Sequence, residues 1–456
     1  MYQRDTIAAI STPVGEGGIG IVRISGDKAG EVALRIFRGK RSGGMQSHRF
    51  YYGEIFDPEN GAALDEAMVV LMRAPNSYTR EDVVEIQCHG GYLLVRKILE
   101  LVVRLGARPA EPGEFTKRAF LNGRIDLLQA EAVIEIIRGK TEASLALAQS
   151  QMEGNLSKKI VRIKEVILNS TALIEACIDF PEDDIVLPHY RDIRESINDS
   201  LSEIDKLLSG FDEGKVIREG VSVLIAGKPN VGKSSLMNTL LKEKRAIVTS
   251  IPGTTRDIIE EVINIRGLSV RLLDTAGIRD SEDEIEQEGM RLTMEKMPLA
   301  DLILFVVDAS RPFDNEDRLI LNELAGYRFI VVMNKTDLES VLEMPREVDP
   351  DHVVRISAHD GEGIEALRDR IFNLFISDGS IDGRELAVLS QARHRDALQR
   401  AKTHLHTFLG NFSEESALEF VALDLREALN AIGEITGETT PDDILNQIFS
   451  RFCIGK

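Results

Sequence analysis

The chain has 456 residues, more than one hydrophobic core usually organises (about 250 to 300), so a multidomain protein is expected. Hydrophobic residues make up 43% and charged residues 29%, and the longest apolar runs, Ala67 to Met72 and Leu302 to Val307, are only strand-sized, which excludes a membrane-spanning helix. A formal net charge of -20 opposes contact with phosphate backbones and argues against nonspecific nucleic-acid binding as the main activity.

Met1 to Ile10 carries neither a basic start followed by an apolar run nor an acid-poor amphipathic pattern, so a cytoplasmic location and no membrane partner are expected. Up to Pro112-Gly113 the texture is mixed α/β, with strands expected at Thr6 to Ile10, Gly20 to Ile24 and Ala67 to Leu71, and a helix near Tyr92 to Leu105. Arg35, Arg38, Lys40, Arg41 and Arg49 read as a basic, solvated loop. Thereafter apolar residues recur at helical spacing, at Leu128, Ala132 and Ile136 and again at Ile160, Ile163, Ile167 and Ile174, predicting long helices broken near Pro181 and Pro188.

From Val221 the pattern becomes strand, glycine loop, helix, and then strands at Val270 to Asp274, Leu302 to Asp308, Phe329 to Asn334 and Val353 to Ile356. That alternation predicts a doubly wound, mostly parallel sheet. Beyond Ser377 helices return at Leu386 to Leu409 and Ala417 to Ile432, and a last one is announced by Thr440 as cap, Pro441 as first position and Asp443 as third. The economical arrangement is a helical domain split by an inserted α/β domain. Cys88, Cys177 and Cys453 form no CxxC pair, which argues against a disulfide framework or structural zinc; the first two read as buried, inert thiols.

Gly227-Lys228-Pro229-Asn230-Val231-Gly232-Lys233-Ser234 follows a strand and precedes a helix, the context that a P-loop needs. Its glycines let backbone amides curl around phosphates, Lys233 counters the β and γ charge, and the Ser234 hydroxyl ligates Mg²⁺. Asn230, Val231, Gly232 and Ser235 belong to the same expected contact set. In Asn334-Lys335-Thr336-Asp337 the final carboxylate can accept from guanine N1 and N2, a pair of donors that adenine lacks. Ser357-Ala358 suits a backbone amide donor to the guanine oxygen. Asp274-Thr275-Ala276-Gly277 ends another strand, where Asp274 can hold Mg²⁺ through water and the Gly277 amide can sense the γ-phosphate. Thr254-Thr255 lies in the switch position, with Thr255 completing the Mg²⁺ shell, and Thr249, Ser250, Ile251, Pro252 and Gly253 lead into it as further expected nucleotide contacts. These elements, in this order at strand ends, point to a GTP hydrolase.

Many such enzymes carry a glutamine after the Asp-x-x-Gly segment to orient the attacking water, but here the position is Ile278, which cannot. The carboxylate-rich segment Asp280 to Glu288 offers other candidates, and no arginine finger is identifiable.

Beyond the nucleotide motifs, Gly18-Ile19-Gly20 with Arg23-Ile24-Ser25-Gly26, Ser77-Tyr78-Thr79 with Glu81-Asp82, and His89-Gly90-Gly91 form a second set. Pro112-Gly113-Glu114-Phe115-Thr116, Arg118-Ala119-Phe120-Leu121-Asn122-Gly123 and the terminal Phe452-Cys453-Ile454-Gly455-Lys456 complete it. Together these motifs make the chain resemble, over essentially its whole length, the MnmE (TrmE) family of tRNA-modification GTPases, within the wider TrmE-Era-EngA-like group.

The resemblance implies a folate-binding, dimerising α+β domain at 1–119, a discontinuous helical domain at 120–215 and 378–456, and a G domain at 216–377. By the family pattern Arg23, Glu85, Arg124 and Lys456 contact a tetrahydrofolate derivative (5,10-methylene or 5-formyl form). Arg and Lys suit its carboxylates, and Glu85 can accept from pterin nitrogens. The resemblance also implies K⁺ held by Asn230, Thr249, Ile251 and Thr254 in place of an arginine finger, and Glu286 as the residue that positions water. The implied function is addition of a carboxymethylaminomethyl or aminomethyl group to carbon 5 of the wobble uridine of certain tRNAs. A homodimer would act in a heterotetramer with a flavoprotein resembling GidA (MnmG), which carries FAD. The alternative, a regulatory G protein of ribosome assembly, shares the GTP site but usually appends a basic RNA-binding module, whereas the flanks here are acidic or neutral.

Overall fold

The computed structural model describes residues 5–13, 15–39, 44–179, 190–243, 261–273, 294–376, 388–413 and 417–456. In chain order it begins with β1 (Ile7–Ile10), β2 (Gly17–Ser25), α1 (Ala29–Ile36), β3 (Phe37–Gly39), β4 (Phe50–Phe56), β5 (Ala63–Met72), β6 (Val83–Gly90), α2 (Tyr92–Arg104) and β7 (Arg108–Pro109). Helices follow: α3 (Glu114–Leu121), α4 (Leu127–Arg138), α5 (Glu142–Met152), α6 (Asn155–Asp179), α7 (Tyr190–Ser209) and α8 (Phe211–Glu219). The α/β part comprises β8 (Val221–Ala226), α9 (Lys233–Glu243), β9 (Glu261–Ile265), β10 (Leu268–Leu273), β11 (Leu302–Asp308), α10 (Asn315–Glu323), β12 (Phe329–Asn334), β13 (Val353–Arg355) and α11 (Ile364–Asn373). The chain closes with α12 (Ala392–Asn411), α13 (Leu418–Thr436) and α14 (Asp442–Ser450).

Two compact units result. The first combines Met1–Ile134, Met152–Arg194 and Arg400–Lys456; the second combines Glu135–Gln151 with Glu195–Gln399. Helical segments are therefore shared between the two.

The first unit holds a seven-stranded sheet of order β3-β4-β5-β6-β2-β1-β7, antiparallel except where β1 runs parallel to β7. Alternation along the strands gives it a core face: Val22, Ile24, Ile55, Val69, Val84 and Ile86 pack with Ile36 of α1 and Ile98 of α2. On its other face Ile7 and Ala9 meet Phe115 of α3. Helix α6 packs along α13, with Arg426 pairing to Glu175 at 2.6 Å.

The second unit holds a six-stranded sheet of order β13-β12-β11-β8-β10-β9, parallel throughout except for β9. β8 and β11 are buried along their whole length and β12 at every residue but its first, which explains their unbroken apolar sequences: helices cover both faces of such a sheet. β9 is an element absent from the sequence reading; it forms a hairpin with β10 through Arg266 (φ +52°) and Gly267 (φ +94°), two consecutive left-handed residues that match a twisted two-residue turn.

Two local expectations are corrected. The expected basic loop is in part regular structure, since Arg35 lies in the last turn of α1 and Arg38 sits in β3, paired to Glu54 at 3.2 Å; Lys40 and Arg41 lie outside the described residues, as do Pro181 and Pro188. Thr440 does not cap the last helix: its hydroxyl donates to Glu434 O at 2.9 Å, and Pro441 takes the cap position with no side-chain cap bond.

Candidate functional site

β8 lies between β11 and β10, so the chain leaves it toward one side of the sheet and later continues on the other, the reversal at which open α/β sheets form ligand crevices. The loop after β8 curls through Gly227 (φ +145°), Asn230 (φ +61°) and Gly232 (φ +100°). A Cβ on Gly227 would stand 2.4 Å from Val306 O and one on Gly232 2.2 Å from Asn334 Nδ2, so both positions demand glycine. Lys233 Nζ donates to Gly227 O at 2.7 Å and Lys228 O at 2.6 Å, and burial pushes its pKa below the ordinary lysine value. Ser234 and Ser235 stand exposed in the first turn of α9, where unpaired amides and the helix dipole favour phosphate.

The ends of β11 and β12 supply the other wall. Asn334, 2% exposed, donates from Nδ2 to Val231 O at 2.8 Å and accepts from the Ala358 amide on Oδ1 at 2.9 Å. Lys335, itself at φ +64°, donates from Nζ to Asn230 O at 2.8 Å and to Asp308 Oδ2 at 2.6 Å. This dipeptide thus grips two successive carbonyls of the phosphate loop. Asp337 is exposed, accepts from Ser357 Oγ at 2.7 Å, and lines a cleft of about 440 Å³ with Gly232, Thr239, Lys335 and Ala358. Asp308 was not singled out from sequence. Burial alone would raise its pKa, but Lys335 and Ser310 hold the carboxyl below the usual range. Thr249, Ser250, Ile251, Pro252, Gly253, Thr254, Thr255, Asp274, Thr275, Ala276, Gly277, Ile278 and Glu286 lie outside the described residues.

A second cluster forms in the first unit. Arg23 of β2 and Glu85 of β6 are cross-strand partners, and Arg23 Nε and Nη2 bond Glu85 Oε1 at 3.0 and 2.8 Å. Arg23 Nη1 donates to Gly455 O at 3.3 Å, and its guanidinium carbon lies 5.5 Å from the Tyr78 ring centroid and 5.7 Å from that of Phe115. Arg124 stands over the same Tyr78 ring at 4.7 Å and donates to Tyr78 O at 3.1 Å.

The chain end is strapped here by Phe115 N to Lys456 O (3.2 Å) and Ser11 Oγ to Gly455 O (3.2 Å). Gly455 makes the strap possible: it sits at φ +94°, and a Cβ there would lie 2.3 Å from Ile10 O. Burial, and then the charge of Arg23, push the Lys456 pKa below its ordinary value. Other motif residues form a network of their own: Glu81 accepts from Ser25 Oγ at 2.7 Å and from Arg118, which also pairs Asp5 and Glu114. Arg23, Arg124 and the Lys456 ammonium, beside Glu85 and an aromatic plate, suit a flat anionic ligand. The sequence marks Tyr78 and Phe115 only as parts of motifs and gives no sign of Ser11.

Residues 6–124 match the family model described as GTP-binding protein TrmE N-terminus, and residues 127–453 match the MnmE helical domain. The chain is 61% identical over 457 residues to the tRNA modification GTPase MnmE of Geobacter metallireducens, with 100% of both chains covered. It is 60% identical to that of Geotalea uraniireducens over 456 residues and 47% identical to that of Geobacillus kaustophilus over 470 residues, again with 100% of both covered. The chain therefore belongs to the MnmE (TrmE) family of tRNA modification GTPases.

Proposed function

We propose that this chain hydrolyses GTP to drive modification of carbon 5 of the wobble uridine in certain tRNAs. A carboxymethylaminomethyl or aminomethyl group is added together with a GidA/MnmG-like flavoprotein that carries FAD. The three-part division into 1–119, a helical domain at 120–215 and 378–456, and a G domain at 216–377 belongs to this reading, as do a homodimer and a cytoplasmic location.

The observation that carries it is the meeting of Arg23, Glu85 and the chain end, with Arg124 joined through Tyr78. Arg23, Arg124 and Lys456 would hold the carboxylates of a tetrahydrofolate, and Glu85 would accept from its ring nitrogens. When bound, the folate supplies the one-carbon unit. In the nucleotide site Lys233 and the loop amides hold the phosphates, Asp337 reads guanine, Ser234 and Thr255 hold Mg²⁺, and Asn230, Thr249, Ile251 and Thr254 hold K⁺. Glu286 orients the attacking water, a role that Ile278 cannot take.

The test combines the protein, the flavoprotein, undermodified tRNA, GTP and 5,10-methylene-tetrahydrofolate labelled in its one-carbon unit. Label is expected in tRNA only when both proteins and GTP are present, and truncation of Lys456 should abolish it. Unlabelled tRNA under full conditions would remove folate from the reading. GTP turnover in K⁺ against Na⁺ at equal ionic strength tests the cation separately, and equal rates would remove the K⁺ site.

A further inference from the structure

Lys228 occupies one of the unspecified positions of the P-loop motif, where sequence gives no reason to prefer a charge. Its side chain is nonetheless held tightly: Nζ contacts Asp314 Oδ2 at 2.5 Å and Asp317 Oδ2 at 2.8 Å, and the side chain is only 15% exposed. Both carboxylates belong to the start of α10. Asp314 is the helix cap, accepting from the Glu316 and Asp317 amides, and Asp317 closes the reciprocal capping box on the Asp314 amide. Both carboxylates are therefore tied to the helix start as well as to Lys228. Asp317 is 3% exposed and its Oδ1 meets no donor among the described residues, so Lys228 is the main charge compensating it.

The same residue faces the reaction from its other end. The backbone carbonyl of Lys228 accepts from Lys233 Nζ at 2.6 Å, together with that of Gly227. Farther along, Asn230 O and Val231 O are held by Lys335 and Asn334. The loop is thus fixed by β12 at one end and by α10 at the other, and the α10 anchor is the one next to the carbonyls that aim the phosphate-binding ammonium.

We propose that Lys228, clamped by Asp314 and Asp317, is a positioning residue for GTP: it fixes the carbonyls that orient Lys233 toward the β- and γ-phosphates. The inference rests on the nucleotide-site reading given above. Cutting the clamp leaves the base contacts of Asp337 in place and loosens only the phosphate end. Affinity for GTP should suffer more than affinity for GDP, and both more than melting temperature.

The test uses the full chain with a fluorescent guanine-nucleotide titration and thermal melting on wild type, Lys228→Met, Lys228→Arg, Asp314→Asn/Asp317→Asn and the combined triple variant. Lys228→Met should weaken GTP binding about tenfold, within the range of coupling in one ion network, while Lys228→Arg retains affinity. The Asp314→Asn/Asp317→Asn variant should reproduce the loss, and the triple variant should be no worse. Equal losses for GTP and GDP, fully additive losses, or unchanged GTP affinity in Lys228→Met would each overturn the proposal. Failure of the wild type to bind GTP would instead sink the underlying nucleotide-site reading.

Discussion

The two candidate sites are built in opposite ways. The phosphate loop is one contiguous stretch at the end of a buried strand, and its shape is set by local needs: glycines at φ +145° and φ +100°, and a lysine that bonds carbonyls five and six residues before it. The Arg23 cluster draws on two strands, the segment around Tyr78, Arg124 and the last two residues of the chain; the contact of Arg23 with Gly455 spans 432 positions. The loop supplies its own groups and is steadied from outside by β12 and α10, whereas the Arg23 site depends on distant segments for the groups themselves. An assembled site is exposed to any alteration that shifts one contributing segment. Substitutions in one should therefore leave the other intact, and the assembled site should be breakable from positions that touch no ligand.

The largest expected separation comes from Glu286→Ala. Hydrolysis should slow by about 10² to 10⁴, the usual contribution of a positioned acid or base, with GTP and folate binding unchanged. Full turnover would remove Glu286 from the mechanism. Gly455→Ala breaks the assembled site through backbone geometry alone, since a Cβ at φ +94° meets Ile10 O at 2.3 Å. Lifting the tail should weaken tetrahydrofolate binding by about 10- to 100-fold, as strain of that kind costs about 1 to 3 kcal/mol, and GTP turnover is the control that should hold. A normal folate titration would show that the tail is not part of the site. Arg124→Ala should weaken folate about tenfold, near the lower end expected for loss of a charged hydrogen bond, again without touching GTPase activity.

The pH dependence sharpens the contrast further. Burial and Arg23 lower the Lys456 pKa from 10.5, so between the folded value and 10.5 the unfolded chain binds more protons and stability rises with pH. An anionic ligand favours the protonated lysine. Folate affinity should therefore decline as pH rises through the depressed value, before an ordinary lysine would titrate, and Lys456→Gln should flatten that profile. An unchanged profile in the variant would place the titrating group elsewhere. The smallest effect concerns the thiols: burial pushes Cys88 up to about 11, whereas Cys453 is exposed, so iodoacetamide at pH 8 should label Cys453 well before Cys88. Equal labelling would mean that the tail does not leave Cys453 accessible.

Legibility follows the same divide. The strands Val221–Ala226, Leu302–Asp308 and Phe329–Asn334 were readable to the residue because a strand covered on both faces is an unbroken apolar run bounded by turn residues. β9 and β4 escaped notice: Glu261–Ile265 and Phe50–Phe56 are amphipathic strands whose alternation is short and interrupted. Thr440 had the chemistry of a cap but spends its hydroxyl on Glu434 O, a partner supplied by the end of another helix. Arg35 and Arg38 looked like loop charges because helix α1 and strand β3 are too short for periodicity to register.

Sequence alone determined the elements whose physics is local. These are the P-loop, whose lysine bonds carbonyls within six residues, the position of the motifs that follow β8 and β12, and the absence of any helix apolar enough to span a membrane among the described residues. Tertiary structure decided what depends on distant backbone. It turned Arg23, Glu85 and Lys456 into neighbours, set Tyr78 beneath Arg124, and gave Lys228 and Asp308 their partners. The reason is physical: a hydrogen bond or ion pair needs atoms within about 3 Å, and only the packing of strands and helices brings residues hundreds of positions apart to that distance.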